Sequence, residues 1–251
     1  MENNLFRNLL DILPENQFIG LGNPNSKILF IGKEAGINIE EENFHGSIKS
    51  WKSNNSNIYS QRYIPQESKF RNLNHTWQRY QKLYDEILSG LNIVNNKSDK
   101  YEINFVENVF TTELSNLHAP NTKLAKSQEN FQSELRKRKE LFFKSDFIKN
   151  FQIVIIFASD NNYIETYPGE ICELFEVKFQ NLYDPISKDK IWIHSQQETS
   201  EKHKLVIHTR QLTNSITSEL IPNISNIIVD FIKSNNIDIF NNTTANSSLA
   251  K

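Results

Sequence analysis

The sequence predicts an α/β fold: three α/β/α layers around a central, mainly parallel four-stranded sheet, with a peripheral hairpin. Three observations carry this. Four short runs, Lys27–Ile31, Phe105–Thr111, Gln152–Ala158 and Lys204–His208, are apolar and partly β-branched and end in glycine or polar residues, as buried strands do. Segments with helical spacing separate them, and strands that alternate with helices form parallel sheets covered on both faces. A chain of 251 residues, 37% hydrophobic, fills one core and forces no split. One domain is therefore expected over residues 1–240, with the polar stretch 241–251 as a disordered tail.

Residues 4–13 repeat leucine and phenylalanine at helical spacing, and Pro14 ends them. Residues 18–26 are rich in Gly, Pro and Asn and read as a loop before the first strand. Residues 37–74 are polar and irregular, with Trp51, Tyr59 and Tyr63 among Ser and Asn; such long segments are often functional. A helix over 76–91 places Trp77, Tyr80, Leu83, Tyr84 and Ile87 on one side. Residues 121–150 are expected as helix, and Arg136–Lys139 within it as a solvated basic face. A short helix spans 163–175, broken early by Pro168-Gly169. Residues 176–179 and 190–194 form the hairpin, joined through Pro185. A closing helix spans 215–234 with Pro222 inside it.

The formal net charge of -2 announces no global attraction to nucleic acid, but a local basic face is enough for an enzyme that visits DNA. The single cysteine, Cys172, excludes an internal disulfide and a Cys-rich metal centre and reads as a small core residue. His45, His75 and His118 lack metal-ligand spacing, so no metal and no cofactor is expected. No stretch reaches the ~20 apolar residues of a membrane span, and Met1–Glu15 lacks the pattern of a signal peptide. The expectation is a monomeric, cytoplasmic protein.

Two strand ends carry the chemistry. Gly32-Lys33-Glu34-Ala35-Gly36 follows the first strand, and His208-Thr209-Arg210-Gln211-Leu212 follows the last. Ligands of open α/β sheets sit beyond the carboxyl ends of the strands. A carboxylate, an imidazole and a guanidinium are thus expected to meet there. Each also has a plain structural use: Glu34 as a loop carboxylate, His208 as a hydrogen-bonded strand end, Arg210 and Gln211 as helix caps.

These segments, in this order, resemble the uracil-DNA glycosylase-like superfamily. The family's first motif has the form Gly-x-(Asp/Asn/Ala)-Pro-(Gly/Tyr), and Gly32–Gly36 is similar, with Glu34 where the best-known branch has its catalytic aspartate. The second motif begins His-Pro-Ser, and His208-Thr209-Arg210 resembles it without the proline and serine. Between them the family has a strand ending in Thr-Asn or a lone Asn that reads the uracil edge; Thr112 stands in its place, with Asn116 and His118 as substitutes. The resemblance spans residues 18 to 234. It implies a DNA glycosylase acting on uracil or another modified base, with DNA, single- or double-stranded, as partner. Glu34 would orient the attacking water and stabilise the sugar cation, and His208 would stabilise the leaving base. Gly32, Lys33, Ala35, Gly36, Thr112, Arg210 and Gln211 would line the substrate. One of Phe44, Trp51, Tyr59 and Tyr63 would stack on the flipped base. The departures from both motifs leave an alternative, a non-catalytic nucleic-acid or nucleotide-binding module that keeps the fold.

Overall fold

The computed structural model describes residues 4–42, 44–53, 55–165, 169–183, 187–196, 203–213 and 215–240. The expected tail at 241–251, Pro168 and Pro185 lie outside them. Among the described residues seven strands join in one sheet: β1 (Leu21–Gly22), β2 (Ile28–Gly32), β3 (Val109–Glu113), β4 (Ile153–Phe157), β5 (Lys178–Tyr183), β6 (Ile191–Ser195) and β7 (Leu205–Thr209). Their order is β1-β3-β2-β4-β7-β6-β5. The four apolar runs lie side by side and parallel, β3-β2-β4-β7. Nearly every residue of these strands is buried, which is why they read as continuous apolar runs and do not alternate.

The hairpin corrects one expectation. It is not peripheral to a four-stranded sheet: β6 pairs antiparallel with β7, Trp192 opposite His208, and extends the sheet. On the other side β1, inside the expected loop, pairs antiparallel with β3. Gly22 has φ +90°, and a Cβ there would collide with the Val109 carbonyl, so this edge depends on glycine.

Helices α1 (Asn4–Ile12), α2 (Ile48–Lys52), α3 (Thr76–Gly90), α4 (Thr122–Ser127), α5 (Phe131–Arg138), α6 (Asp146–Lys149), α7 (Glu170–Phe175) and α8 (Leu220–Ser234) cover both faces. Strand alternation sends Leu29, Ile31, Phe110, Val154 and Ile156 to a layer with Phe6, Leu135, Phe147 and Phe175. It sends Ile28, Phe30, Val109, Ile155 and Ile207 to the opposite layer, with Tyr84, Ile87, Ile224 and Ile228 of α3 and α8. Pro222 is the third residue of α8, in the first turn, where no intrahelical bond needs its missing N–H.

Several boundaries differ from expectation: α7 starts at Glu170 and α8 at Leu220, later than expected, and β5 runs on to Tyr183. Residues 105–107 form a 3-10 turn, and β3 starts at Val109, because Gln81 Oε1 accepts from the Asn104 and Phe105 N–H groups and holds them out of the sheet. The single helix expected over 121–150 is four pieces: α4, α5, a π turn at Lys139–Phe143, and α6. The Asn121 and Ser145 side chains cap new starts at α4 and α6. The irregular segment 37–74 contains α2, whose N–H at Ser50 is capped by Ser47.

Candidate functional site

The carboxyl ends of β2, β3, β4 and β7 lie along one edge of the sheet. The chain after β3 runs alongside the chain after β2: Leu114 N–H donates to the Gly32 carbonyl, Ser115 N–H to Lys33, and Ala119 N–H to Ala35. This brings Thr122, at the start of α4, to Glu34. Thr122 Oγ1–H donates to Glu34 Oε1 at 2.7 Å, and Tyr163 Oη–H donates to Oε2 at 2.5 Å. Two donors on two oxygens suit the ionised form, which only accepts. Burial pushes the Tyr163 phenol up, and its bond to Glu34 pushes it further, so it stays a donor. Tyr163 is placed by a turn at Asp160, whose carboxylate meets Lys33 at 3.2 Å and Lys126 at 3.3 Å. Burial opposes that charge, but hydrogen bonds from Asn162 and Lys33 more than offset it and hold Asp160 well below the usual carboxylate range.

The sequence reading missed Glu113. It ends β3 directly opposite Gly32 in the parallel register. Its carboxyl lies over Gly32 so closely that a Cβ there would overlap Oε2. A side chain at Gly32 would therefore displace the Glu113 carboxyl. Among the described residues no hydrogen bond or ion pair satisfies the Glu113 side chain. Burial, and then the nearby Glu34 charge, push it up to about 8, against the opposing pull of Arg138. Glu113 is therefore mostly protonated at neutral pH, while both Glu34 oxygens accept hydrogen bonds. The available signal was strand alternation: Thr112 faces the α5 layer, so its neighbour must face the other way.

Thr112 itself is fully buried. Its hydroxyl donates to the Ile19 carbonyl at 2.8 Å and accepts from Arg138 Nη2 at 2.9 Å. Arg138 is not on a solvated face; it is buried and also donates to the carbonyls of Glu113 and Phe18. Ala35 is buried against Phe18 and Phe44, whereas Gly36 is exposed with open space beside it. Phe44 packs on Phe18 and, at 4.6 Å, on His118. Trp51 belongs to the core, its indole N–H bonded to the Gly20 carbonyl, while Tyr59 and Tyr63 pack on each other and on Trp77. Asn116 Oδ1 and His118 Nε2 are buried without a hydrogen-bond partner among the described residues. Such atoms cost about 1–3 kcal/mol each when left unmade, so they are notable on the segment that runs beside Ala35.

Lys33, Arg210 and Gln211 line a cleft of about 400 Å³ with Ser159, Lys188, Lys190, Trp192 and Thr213; Glu34 and His208, expected to meet Arg210, are not in its lining. Arg210 Nη1 meets the buried Asp189 carboxylate at 3.0 Å, and Thr217 N–H binds the same carboxylate at 2.6 Å. His208 is fully buried in the wall of this edge. Its Nε2–H donates to the Ala158 carbonyl at 3.1 Å, and its ring lies 5.2 Å from that of Trp192. The neighbouring His194 is held down to about 4 by burial and by His208. Among the described residues no three metal-ligating side chains converge, and no helix is long and apolar enough to cross a membrane. No protein-family model and no curated protein matches the chain.

Proposed function

We propose that this protein is a DNA glycosylase-like hydrolase that cuts the N-glycosidic bond of uracil or another damaged or modified base. The observation that carries this reading is the pair of carboxyls at the ends of neighbouring parallel strands, Glu34 held by two hydroxyl donors and Glu113 lying over Gly32 with no such donor among the described residues. Environments that push two carboxyls apart divide acid from base. As the C1′–N bond breaks, its electron pair goes to the base, and Glu113 O–H donates its proton there. Glu34 faces the positive charge growing on the sugar and accepts a proton from the water whose oxygen bonds to C1′. The products are the free base and an abasic sugar; Glu113 regains its proton, and Glu34 loses its own, through solvent. The cation-lined cleft offers attraction to phosphates.

The enclosure of His208 favours a second reading, a binding module without turnover, because no leaving base reaches that ring as it stands. Base release from oligonucleotides containing uracil, hypoxanthine or hydroxymethyluracil separates the two. Turnover should fall above about pH 8 as Glu113 loses its proton, and Glu113→Gln should remove that alkaline limb along with most of the rate. No release from any of these substrates, with strand binding intact, would leave only the binding module.

Stability carries the same signature. Glu113 binds its proton more tightly folded than unfolded, so its contribution is complete below the ordinary carboxyl range and is lost as pH rises towards about 8. The urea midpoint of the wild type should therefore decline across that window more steeply than that of Glu113→Gln. Parallel curves would show that Glu113 is ionised in the folded protein.

A further inference from the structure

We propose that the cleft between the start of β6 and the end of β7 binds an unpaired DNA segment beside the reacting nucleotide, its phosphates on Lys33, Lys188 and Lys190 and one base against Trp192. Only the choice of DNA rests on the glycosylase reading; the chemistry of the cleft stands without it. The cleft lining holds four cations, Lys33, Lys188, Lys190 and Arg210, and among the described residues no carboxylate, on a chain whose net charge is -2; behind it Asp160 pairs with Lys33 and Asp189 with Arg210. That is a local anion site on a protein with no general attraction to anions.

Period-two alternation builds it. Asp189 and Ile191 turn inward and are buried, which sends Lys188, Lys190 and Trp192 to the cleft side. Asp189, between the two lysines, turns its carboxylate in to Arg210 and the Thr217 N–H, away from the cleft. The Thr209 hydroxyl donates to the Lys190 carbonyl at 2.7 Å and ties the segment to β7. Trp192 is half-buried. The His208 ring supports it from the protein side, 5.2 Å away at an interplanar angle of 32°, and a cleft of about 400 Å³ adjoins it. A backed indole beside lysines is what a nucleotide with a free base face requires, since stacking tolerates any base and phosphates need only positive charge. In a duplex both faces of each base are already stacked, so the partner is an unpaired strand.

The test is fluorescence anisotropy with an unmodified labelled oligothymidylate, its duplex with oligoadenylate, and thymidine monophosphate as competitor. The strand should bind more tightly than the duplex, and the mononucleotide should compete only weakly. Trp192→Ala should weaken strand binding about tenfold or more and leave the salt dependence unchanged. Lys188→Ala, at an exposed position that does not hold the fold, should weaken binding and make the log–log salt slope shallower by about 0.7. Absence of strand binding, preference for duplex, equal competition by the mononucleotide, or a wild-type salt slope in Lys188→Ala would each overturn the proposal. Because an unmodified strand has no base to release, failure of base excision leaves this result standing, and failure here leaves base excision to its own assay.

Discussion

Glu34→Gln is expected to lower base release by roughly 10²–10⁴-fold, the usual contribution of a positioned acid or base, while strand binding persists. The side chain keeps its length and shape. Where the new amide nitrogen replaces an oxygen, the Thr122 or Tyr163 hydroxyl can rotate from donating to accepting, so the local network survives the change. What disappears is the negative charge that the glycosylase proposal sets against the sugar, and with it the proposed acceptor for the water proton. Loss confined to turnover therefore identifies Glu34 as the base. Turnover at the wild-type rate would remove it from the reaction, and a matching loss of folding would assign it to structure. Tyr163→Phe should be milder, because it removes one of the two donors that fix the carboxylate and leaves its charge.

Arg138→Met is expected to cost about 3–5 kcal/mol of stability, read as a lowered urea midpoint with an unchanged slope. Methionine retains an apolar stem for the stack on Phe142, which the guanidinium now covers at 4.2 Å. It supplies none of the donors that reach the Glu113 and Phe18 carbonyls and Thr112 Oγ1, and those acceptors stay buried. Burial pulls the guanidinium down to about 9 and the Glu113 charge opposes that fall, so at neutral pH it remains a cation that holds β3, the loop before β1 and α5 together. The same substitution should shift the alkaline limb of base release upward, because Arg138 opposes the rise of the Glu113 pKa. A stability change below about 1 kcal/mol would mean that water or a neighbour replaces the guanidinium at those acceptors.

Arg138 also shows where the residue string stops being informative. Arg136-Lys-Arg-Lys139 reads as a basic helical face, and nothing in its composition distinguishes the third residue. Burial of Arg138, the last residue of α5 before the π turn, goes with its reach to the Glu113 and Phe18 carbonyls and the Thr112 hydroxyl, partners far away in sequence. Glu113 was obscured for a related reason. Comparison with a motif drew attention to Thr112, whereas the pleat and the register with Gly32 decide which of the two neighbours faces the strand-end edge. Lys188, Lys190 and Trp192 lay in a hairpin expected to stand apart, so their meeting with Lys33 and Arg210 depends on the β6–β7 pairing.

The sequence by itself determined the α/β class, the four parallel core strands and the two strand ends on which Lys33, Glu34, Arg210 and Gln211 stand. Those features are local: apolar runs bounded by glycine and polar residues register within a few neighbours along the chain. Tertiary structure alone decided the width of the sheet, the enclosure of His208, the protonation of Glu113 and the cation-lined cleft. Each arises from groups more than a dozen residues apart in sequence. Their burial and mutual electric fields exist only once the strands are in register, and desolvation sets a protonation state through surroundings that the order of residues does not display.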